Sequence, residues 1–409
     1  MGLLLSALAC SKEPTTPRLP DILLVSLDTV RWDHTSVGGY SHDTTPHLAA
    51  LAALPGSLLF ERAYTDGAWS QPAYVSLFTG QHALTHGVGF QRISLDPGQA
   101  TLASMLQAHG YATRAFASGP HLSPTTGIDA GFDVYTHDGL LRSIAHQIDP
   151  ALAWLTGDSA VPRFAFVQGY DAHTPYSVPA VYAGLFHELP EDAVETCGAF
   201  DRRCLTTPLP RATGPALTPA ESARLTGAYD AAVATADHQL GRLLHGLETA
   251  GRLDEMLVIV LSDHGEMLGE QGGVGHVHGH DAAVFHVPLV VRLPEPHRSD
   301  RPTSVDHPVL LSDLVPTLAA RLELSPPAGS EGHPIAELLD PPGRSLDRPF
   351  RGASQCCLYV RDGDWTLLGV RHTDTYQWTL RQGDSSTDHS TTEPERFAAM
   401  MAQLGDWPS

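Results

Sequence analysis

Three separated segments each end an apolar run on residues able to ligate a hard cation. Ile22–Leu27 runs into Asp28, Phe164–Tyr170 into Asp171-Ala172-His173, and Leu257–Leu261 into Ser262-Asp263-His264-Gly265-Glu266. Between the first two, Trp69-Ser70-Gln71-Pro72-Ala73-Tyr74 places a hydroxyl immediately before an expected helix. Carboxylates, imidazoles and a hydroxyl gathered at strand ends are the parts of a metal-activated nucleophile.

Each residue also has a plainer explanation. Asp28 suits a helix N-cap as well as a metal, and Ser70 is a favoured cap for a helix over Pro72–Phe78. A lone His173 at a strand end suits a structural hydrogen bond. Asp263-His264-Gly265-Glu266 is more specific, because a carboxylate and an imidazole side by side fit one metal site and the glycine permits a sharp turn. The alternating His276-Val277-His278-Gly279-His280-Asp281 follows so closely that it reads as further ligands or anion contacts rather than a solvated tract. A helix N-terminus at Ser70 would favour an alkoxide or a bound anion.

The elements that must position these residues alternate strand and helix. Asp21–Leu27, Leu58–Ala63, Ala112–Ala117, Arg163–Tyr170, Met256–Leu261 and Val287–Arg292 read as strands, several of them continuously apolar as in a buried parallel sheet. Thr45–Leu54, Pro72–Phe78, Leu102–His109, Leu140–Leu155, Thr218–Ala250 and Leu310–Leu322 read as helices. Pro326–Pro349 is a crossover loop. Three short antiparallel strands (Cys357–Arg361, Trp365–Val370, Tyr376–Arg381) and a helix over Pro394–Leu404 follow. The expected organisation is a tail over 1–20, a catalytic domain over 21–325 and a small α+β subdomain over 350–409. Ser177–Pro215, polar and rich in Pro and Gly, is expected to run over the rim of the site.

The chain has 409 residues, is 42% hydrophobic and carries a formal charge of −21, which argues against nucleic acid or an anionic membrane as partner. Its one lysine, Lys12, lies in the tail, so positive charge for an anionic substrate must come from a metal and histidines. Met1–Cys10 looks like the end of a bacterial lipoprotein signal with Cys10 as the lipidated residue. It lacks a positive n-region, which points to a start further upstream. That reading places the protein in the bacterial cell envelope, periplasmic or on the surface. The N-myristoylation pattern at Met1-Gly2 with Ser6, or an untargeted N-terminus, are the alternatives. Cys197 and Cys204 would pair if the chain is exported, whereas Cys356 and Cys357 read as ordinary half-buried strand residues.

Together the strand ending in Asp28, Ser70–Gly80, His86-Gly87, Gly110–Thr113, Asp171/His173 and Ser262–Glu266 resemble the sulfatase family of the alkaline-phosphatase superfamily, over most of Asp21–Leu322. The resemblance implies a doubly wound, mixed and mostly parallel α/β sheet sandwiched by helices, with a small C-terminal antiparallel sheet. It implies a divalent cation, calcium in most sulfatases, on Asp28, Ser70, Asp263 and His264; zinc, manganese or magnesium are the alternatives. Ser70, His173 and His276 become the expected catalytic residues, with Tyr74, His86, His121 and His278 expected around the substrate.

The departures from the family pattern bear on the chemistry. The family motif Cys-x-Pro-x-Arg, or Ser-x-Pro-x-Arg, becomes Ser70-Gln71-Pro72-Ala73-Tyr74, with Tyr in place of Arg. The lysine of Gly-Lys-Trp-His is lost from Ser118-Gly119-Pro120-His121. In the family the first motif residue is oxidised to formylglycine, whose hydrate expels sulfate by collapsing to the aldehyde. A plain serine has no such exit, so its adduct must be hydrolysed directly, which shifts weight toward phosphate esters. The expected activity is a metal-dependent hydrolysis of sulfate esters, or of phosphate esters. A serine-nucleophile phosphatase, phosphodiesterase or phospho-group transferase is the alternative. A different class, an inactive protein binding an anionic glycan, stays open because Arg and Lys are absent. The oligomeric state is left open.

Overall fold

The computed structural model describes residues 19–404, apart from 177, 180, 183–184, 187–215, 280–281, 296–298, 300–302, 340–347, 373–374 and 384–386. Cys10, Cys197, Cys204 and most of the Ser177–Pro215 excursion therefore lie outside the described residues.

The centre is an eight-stranded sheet in the order Thr303–Val305, Ser57–Phe60, Leu289–Arg292, Met256–Leu261, Asp21–Leu27, Arg163–Gly169, Ala112–Phe116, Val134–Thr136. Asp21–Leu27 lies between two parallel neighbours, Arg163–Gly169 and Met256–Leu261, which explains why all three runs are apolar throughout. Leu289–Arg292 is antiparallel to both of its neighbours, so the sheet is mixed.

Alternation along the central strand builds two cores. Ile22 and Leu24 face the layer containing Tyr74, Leu77, Phe78, Leu102 and Leu314. Leu23, Val25 and Leu27 face the layer containing Leu48, Ile148, Leu240 and Leu243. The second layer is dominated by Pro219–Thr249, a 31-residue helix opened by a Thr218/Glu221 capping box. Both layers are closed by helices, so the sheet can bury both faces. No helix of the described residues is long and apolar enough to cross a membrane.

The C-terminal sheet has four antiparallel strands, Phe350–Ala353, Cys357–Asp362, Trp365–His372 and Thr375–Gln382. The first was not legible in the sequence, because Phe350-Arg351-Gly352-Ala353 is too short to alternate. It is tied to the main body by Ala68 N–H, which donates to the Ala353 carbonyl (3.0 Å), and by the packed rings of Tyr64, Phe285, Phe350 and Tyr359. Cys356 and Cys357 are not the independent strand residues expected. They are joined to each other by a disulfide.

Other departures have local causes. The helix expected from Leu140 begins only at Ala145. The residues before it are held irregularly against the strand end, where Tyr170 N–H donates to the Arg142 carbonyl (2.8 Å) and Ile144 N–H to Asp171 (2.8 Å). Pro288 divides the strand expected over Val287–Arg292, and His286–Val287 pairs instead with Ala63–Tyr64. The edge strand Val134–Thr136 escaped the sequence reading.

Candidate functional site

The parallel strands Asp21–Leu27, Arg163–Gly169 and Met256–Leu261 deliver Asp28, Tyr170 and Asp263 to one end of the sheet, where ligand sites of such folds lie. The helix Ser70–Thr79 points its first turn at that end. Its N-cap is Trp69, not Ser70, and Ser70 is the first helical residue. The Ser70 hydroxyl therefore does no capping. It lies 3.4 Å from Asp28 Oδ2 and 3.3 Å from His264 Nε2, and the residue is 1% exposed.

Asp28, Asp263 and His264 are fully buried, and each offers a ligand atom within 4.8 Å of the others. The donor set fits a cation for a specific reason. His264 Nδ1–H donates to the Gly265 carbonyl (2.9 Å), which leaves the Nε2 lone pair facing Asp263 Oδ2 at 3.4 Å. Asp28 Oδ1 and Asp263 Oδ2 have no hydrogen-bond partner. Two buried carboxylate oxygens without a donor, with an imidazole lone pair beside them that only the Ser70 hydroxyl can reach, repel one another unless a positive ion sits among them. Burial, followed by the charge of Asp263, pushes the Asp28 pKa well above the carboxylate range; burial raises Asp263 too. Oxygen and imidazole donors of this kind suit calcium, magnesium, manganese or zinc.

The backbone around these ligands is under constraint. Thr29 has φ 60°, unusual for a β-branched residue, with its N–H directed at Asp263 Oδ1 (3.4 Å) and its hydroxyl on the Asp28 carbonyl (2.8 Å). Gly265 is needed for close approach and not for a left-handed turn. A Cβ there would stand 2.0 Å from the Ala283 carbonyl oxygen.

A cluster of histidines flanks the ligands. The ring of His276 lies 4.4 Å from that of His264 and 4.9 Å from that of His173. His276 Nδ1 is held by Glu266 (3.1 Å), which also accepts from Tyr176 (2.9 Å) and Thr174 (3.1 Å). His173 Nδ1 is held by the Thr174 carbonyl. In these tautomers both rings keep Nε2 bare. Burial holds His264 and His276 down to about 3 and His173 to about 4, so all three are neutral at pH 7. His121, depressed by burial, packs its ring 5.1 Å from that of Trp69 and acts electrostatically on His173 and His276. His278 is half-buried, its carbonyl oxygen 3.2 Å from Cys356 Sγ.

Two expected substrate contacts are placed elsewhere. Both ring nitrogens of His86 are engaged inside the protein, by Ser76 Oγ (3.0 Å) and Val88 N–H (3.0 Å), so it packs the helix instead of meeting a ligand. Tyr74 is 0% exposed, and its hydroxyl donates to Ser26 Oγ (2.9 Å) close to Asp28 and Asp263. Asp171 is a positioning residue held by Ser143 and Ile144.

Sequence reasoning missed Tyr170 and Gln168. Gln168 Nε2 approaches Asp28 Oδ2 (3.5 Å), and its carbonyl accepts from Ser118 N–H (3.2 Å). Their signal was a pair of polar side chains at alternate positions, Gln168 near the end of the Arg163–Gly169 strand and Tyr170 directly after it, just before Asp171 and His173.

The buried histidines set an acid limb. His86, pushed down to about 3 by burial, and the three site histidines stay neutral in the fold, whereas the unfolded chain protonates them below about pH 6.5. Their stabilisation is full above that pH and is lost as pH falls toward 3 to 4. Buried Asp28, Asp171, Asp263 and Glu266, held above their ordinary range, act in the opposite sense, since the fold there binds protons more tightly than the unfolded chain. A bound cation removes Asp28 and Asp263 from that opposing set. Urea unfolding between about pH 4 and 7 should therefore show a steeper acid loss with calcium than with chelator. Equal slopes would contradict this.

Comparison with known proteins agrees with the geometry. The chain is 22% identical over 389 residues to an arylsulfatase of Clostridium perfringens (strain 13 / Type A), covering 78% of each chain. It is 25% identical over 443 residues to an uncharacterised sulfatase, YidJ, of Escherichia coli (strain K12), covering 95% of this chain and 86% of that one. Among solved structures, one in complex with its substrate D-glucosamine-2-N,6-O-disulfate superposes with TM-score 0.74 at 17% identity, covering 94% of this chain and 96% of that one. The phosphonate monoester hydrolase of Agrobacterium radiobacter superposes with TM-score 0.71 at 21% identity over the same shares. The model of the Sulfatase family matches residues 20–324, three quarters of the sequence and all of the site, and the chain belongs to that family of ester hydrolases.

Proposed function

We propose that this protein is a divalent-cation-dependent hydrolase of sulfate or phosphate esters in which Ser70 itself is the nucleophile. One observation carries the reading: a buried hydroxyl that caps nothing lies 3.3–3.4 Å from His264 and Asp28, beside two carboxylate oxygens without partners. A cation on Asp28, Asp263 and His264 would lower the Ser70 pKa and withdraw charge from the ester oxygens.

The residues then divide the work. The Ser70 hydroxyl lies between Asp28 Oδ2 and His264 Nε2, and with a cation held on these residues its proton would pass to solvent water before attack. As the Ser70 oxygen bonds to sulfur or phosphorus, the bond to the leaving oxygen breaks. His173 or His276, having taken a proton on Nε2 in the presence of the substrate anion, passes it to the departing alkoxide. The bare Nε2 can next accept a proton from the water that cleaves the Ser70 adduct. Glu266 fixes the His276 tautomer, as carboxylates do for working imidazoles. His121 and His278 are assigned to the substrate side.

A second reading, phosphate esters, phosphodiesters or phosphonates in preference to sulfates, is favoured by position 74. The motif arginine is replaced by a tyrosine whose hydroxyl is bound to Ser26, so nothing there adds charge to the site. The similarity to a phosphonate monoester hydrolase fold is consistent with it. A phospho-group transferase differs only in the final acceptor. Cell-envelope placement through Cys10 and a Cys197–Cys204 bond belong to this proposal as well, and mass spectrometry of native material tests both.

Turnover of 4-nitrophenyl sulfate, 4-nitrophenyl phosphate, bis(4-nitrophenyl) phosphate and 4-nitrophenyl phenylphosphonate should be measured with each cation, together with the mass of the Ser70 peptide. Cation-dependent release from at least one class is expected, with Ser70 unmodified. If no ester is turned over with any cation, the hydrolase reading fails in favour of an anion-binding protein.

A further inference from the structure

Among the described residues around the site, the Tyr170 hydroxyl, like Trp69 Nε1 and Ser118 Oγ, is a buried polar group that neither the cation site nor the histidines explain, and of the three it carries the closest geometric definition. The residue is 5% exposed, and its hydroxyl is buried without a hydrogen-bond partner. A phenol in that state destabilises the fold unless something else satisfies it.

Its place is closely defined. The backbone is fixed by the Tyr170 N–H donating to the Arg142 carbonyl (2.8 Å), and the ring stands 5.3 Å from that of His173. On its other side the ring lies against Gly119, where φ is +81°. A Cβ at 119 would fall 2.1 Å from Tyr170 Cε2 and 2.6 Å from the hydroxyl oxygen, so no residue with a side chain fits beside this ring. Burial, then the charges of Asp28 and Asp263, push the phenol well above its ordinary pKa, and the nearby Ser70 hydroxyl counters part of that. The phenolic O–H stands close to the Ser70 hydroxyl and makes no hydrogen bond of normal length.

We propose that Tyr170 is a catalytic residue whose phenolic O–H donates to a non-bridging oxygen of the sulfate or phosphate group held at Ser70, and that Gly119 is present to admit its ring. This rests on the hydrolase reading for its substrate. The lone lysine of the sequence is in the tail, and Arg31, the arginine buried close to Asp28 in sequence, is occupied by Asp33 and Glu270. A preorganised neutral donor in a dry site is then the means of stabilising charge that builds on the equatorial oxygens. The hydroxyl moves no proton; it only accepts a share of that developing charge.

Tyr170→Phe keeps the ring and removes the donor. With the calcium-loaded protein and the best of the four nitrophenyl esters, we expect kcat/KM to fall on the order of 10²-fold, mainly through kcat. Inorganic phosphate, tested by calorimetry, should bind several-fold more weakly. The midpoint of thermal unfolding without ligand should stay the same or rise, because an unpartnered hydroxyl has been deleted; a structural tyrosine would lower it. Turnover within threefold of wild type, or a lowered midpoint, overturns the proposal. If the wild type hydrolyses nothing, the hydrolase reading has failed and phosphate binding alone judges Tyr170. A several-fold loss in the variant then supports the contact, while equal affinity, or no binding by either protein, overturns it.

Discussion

Ser70→Ala should abolish ester turnover, lowering kcat by about three orders of magnitude or more, while leaving the fold and most of the metal affinity in place. The size of the effect follows from covalent catalysis: without the oxygen, only the cation and binding contacts remain to accelerate attack by water. The selectivity follows from the structure. Trp69 holds the N-cap position, so losing the Ser70 hydroxyl breaks no helix cap and stability should change by less than about 1 kcal/mol. Asp28, Asp263 and His264 remain as three ligands, so cation affinity should weaken only moderately. Quenched-flow experiments with intact-mass detection should find a sulfo- or phospho-serine on the wild type and none on the variant. Near wild-type rates in Ser70→Ala on both ester types would reduce Ser70 to a packed hydroxyl and remove the mechanism.

Asp263→Asn is expected to separate stability from function in opposite directions. In the cation-free protein it removes a buried carboxylate that burial holds above its ordinary range and whose charge raises the proton affinity of Asp28, so the apo form should become more stable by about 1–3 kcal/mol. The same change takes away a charged ligand, so calcium should no longer stabilise the chain and turnover should vanish. Wild type should gain about 2.7 kcal/mol at a cation concentration one hundred times its Kd. Thermal unfolding of both proteins in chelator and in calcium, magnesium, manganese or zinc reads all of this out. A wild type whose midpoint no divalent cation raises, or an Asp263→Asn variant less stable in chelator, would show that the acceptors do not enclose a metal site.

Much of the fold was legible in the sequence because burial on both faces leaves a period-free apolar run. Asp21–Leu27 and Met256–Leu261 were bounded correctly for that reason, and Arg163–Gly169 to within one residue. The long helix was legible through its 3.6-residue apolar spacing. Boundaries failed where tertiary contacts override local pattern. Asp171 captures the backbone before Ala145 and delays that helix, and Pro288 divides an apolar run between two sheets.

By itself the sequence determined which strands end in chemistry. Residue type and position after an apolar run are local properties, so these strand ends could be singled out, and the resemblance to the sulfatase family joined Asp28, Ser70, Asp263 and His264 into one expected set before any distance was known. Only the tertiary structure decided what each side chain does on arrival. His86 and Tyr74 carry the right functional groups, yet their polar atoms are consumed by Ser76, Val88 and Ser26 inside the first core layer. Ser70 is released from capping because the helix begins at Ser70, two residues before the expected start at Pro72. Tyr170 could not be singled out from sequence because its meaning lies in a missing partner and in Gly119, 51 positions away in the chain, whose absent Cβ makes room for the ring. Spacing along the chain constrains which groups reach a strand end, but hydrogen-bond occupancy and close approach are decided between segments distant in sequence.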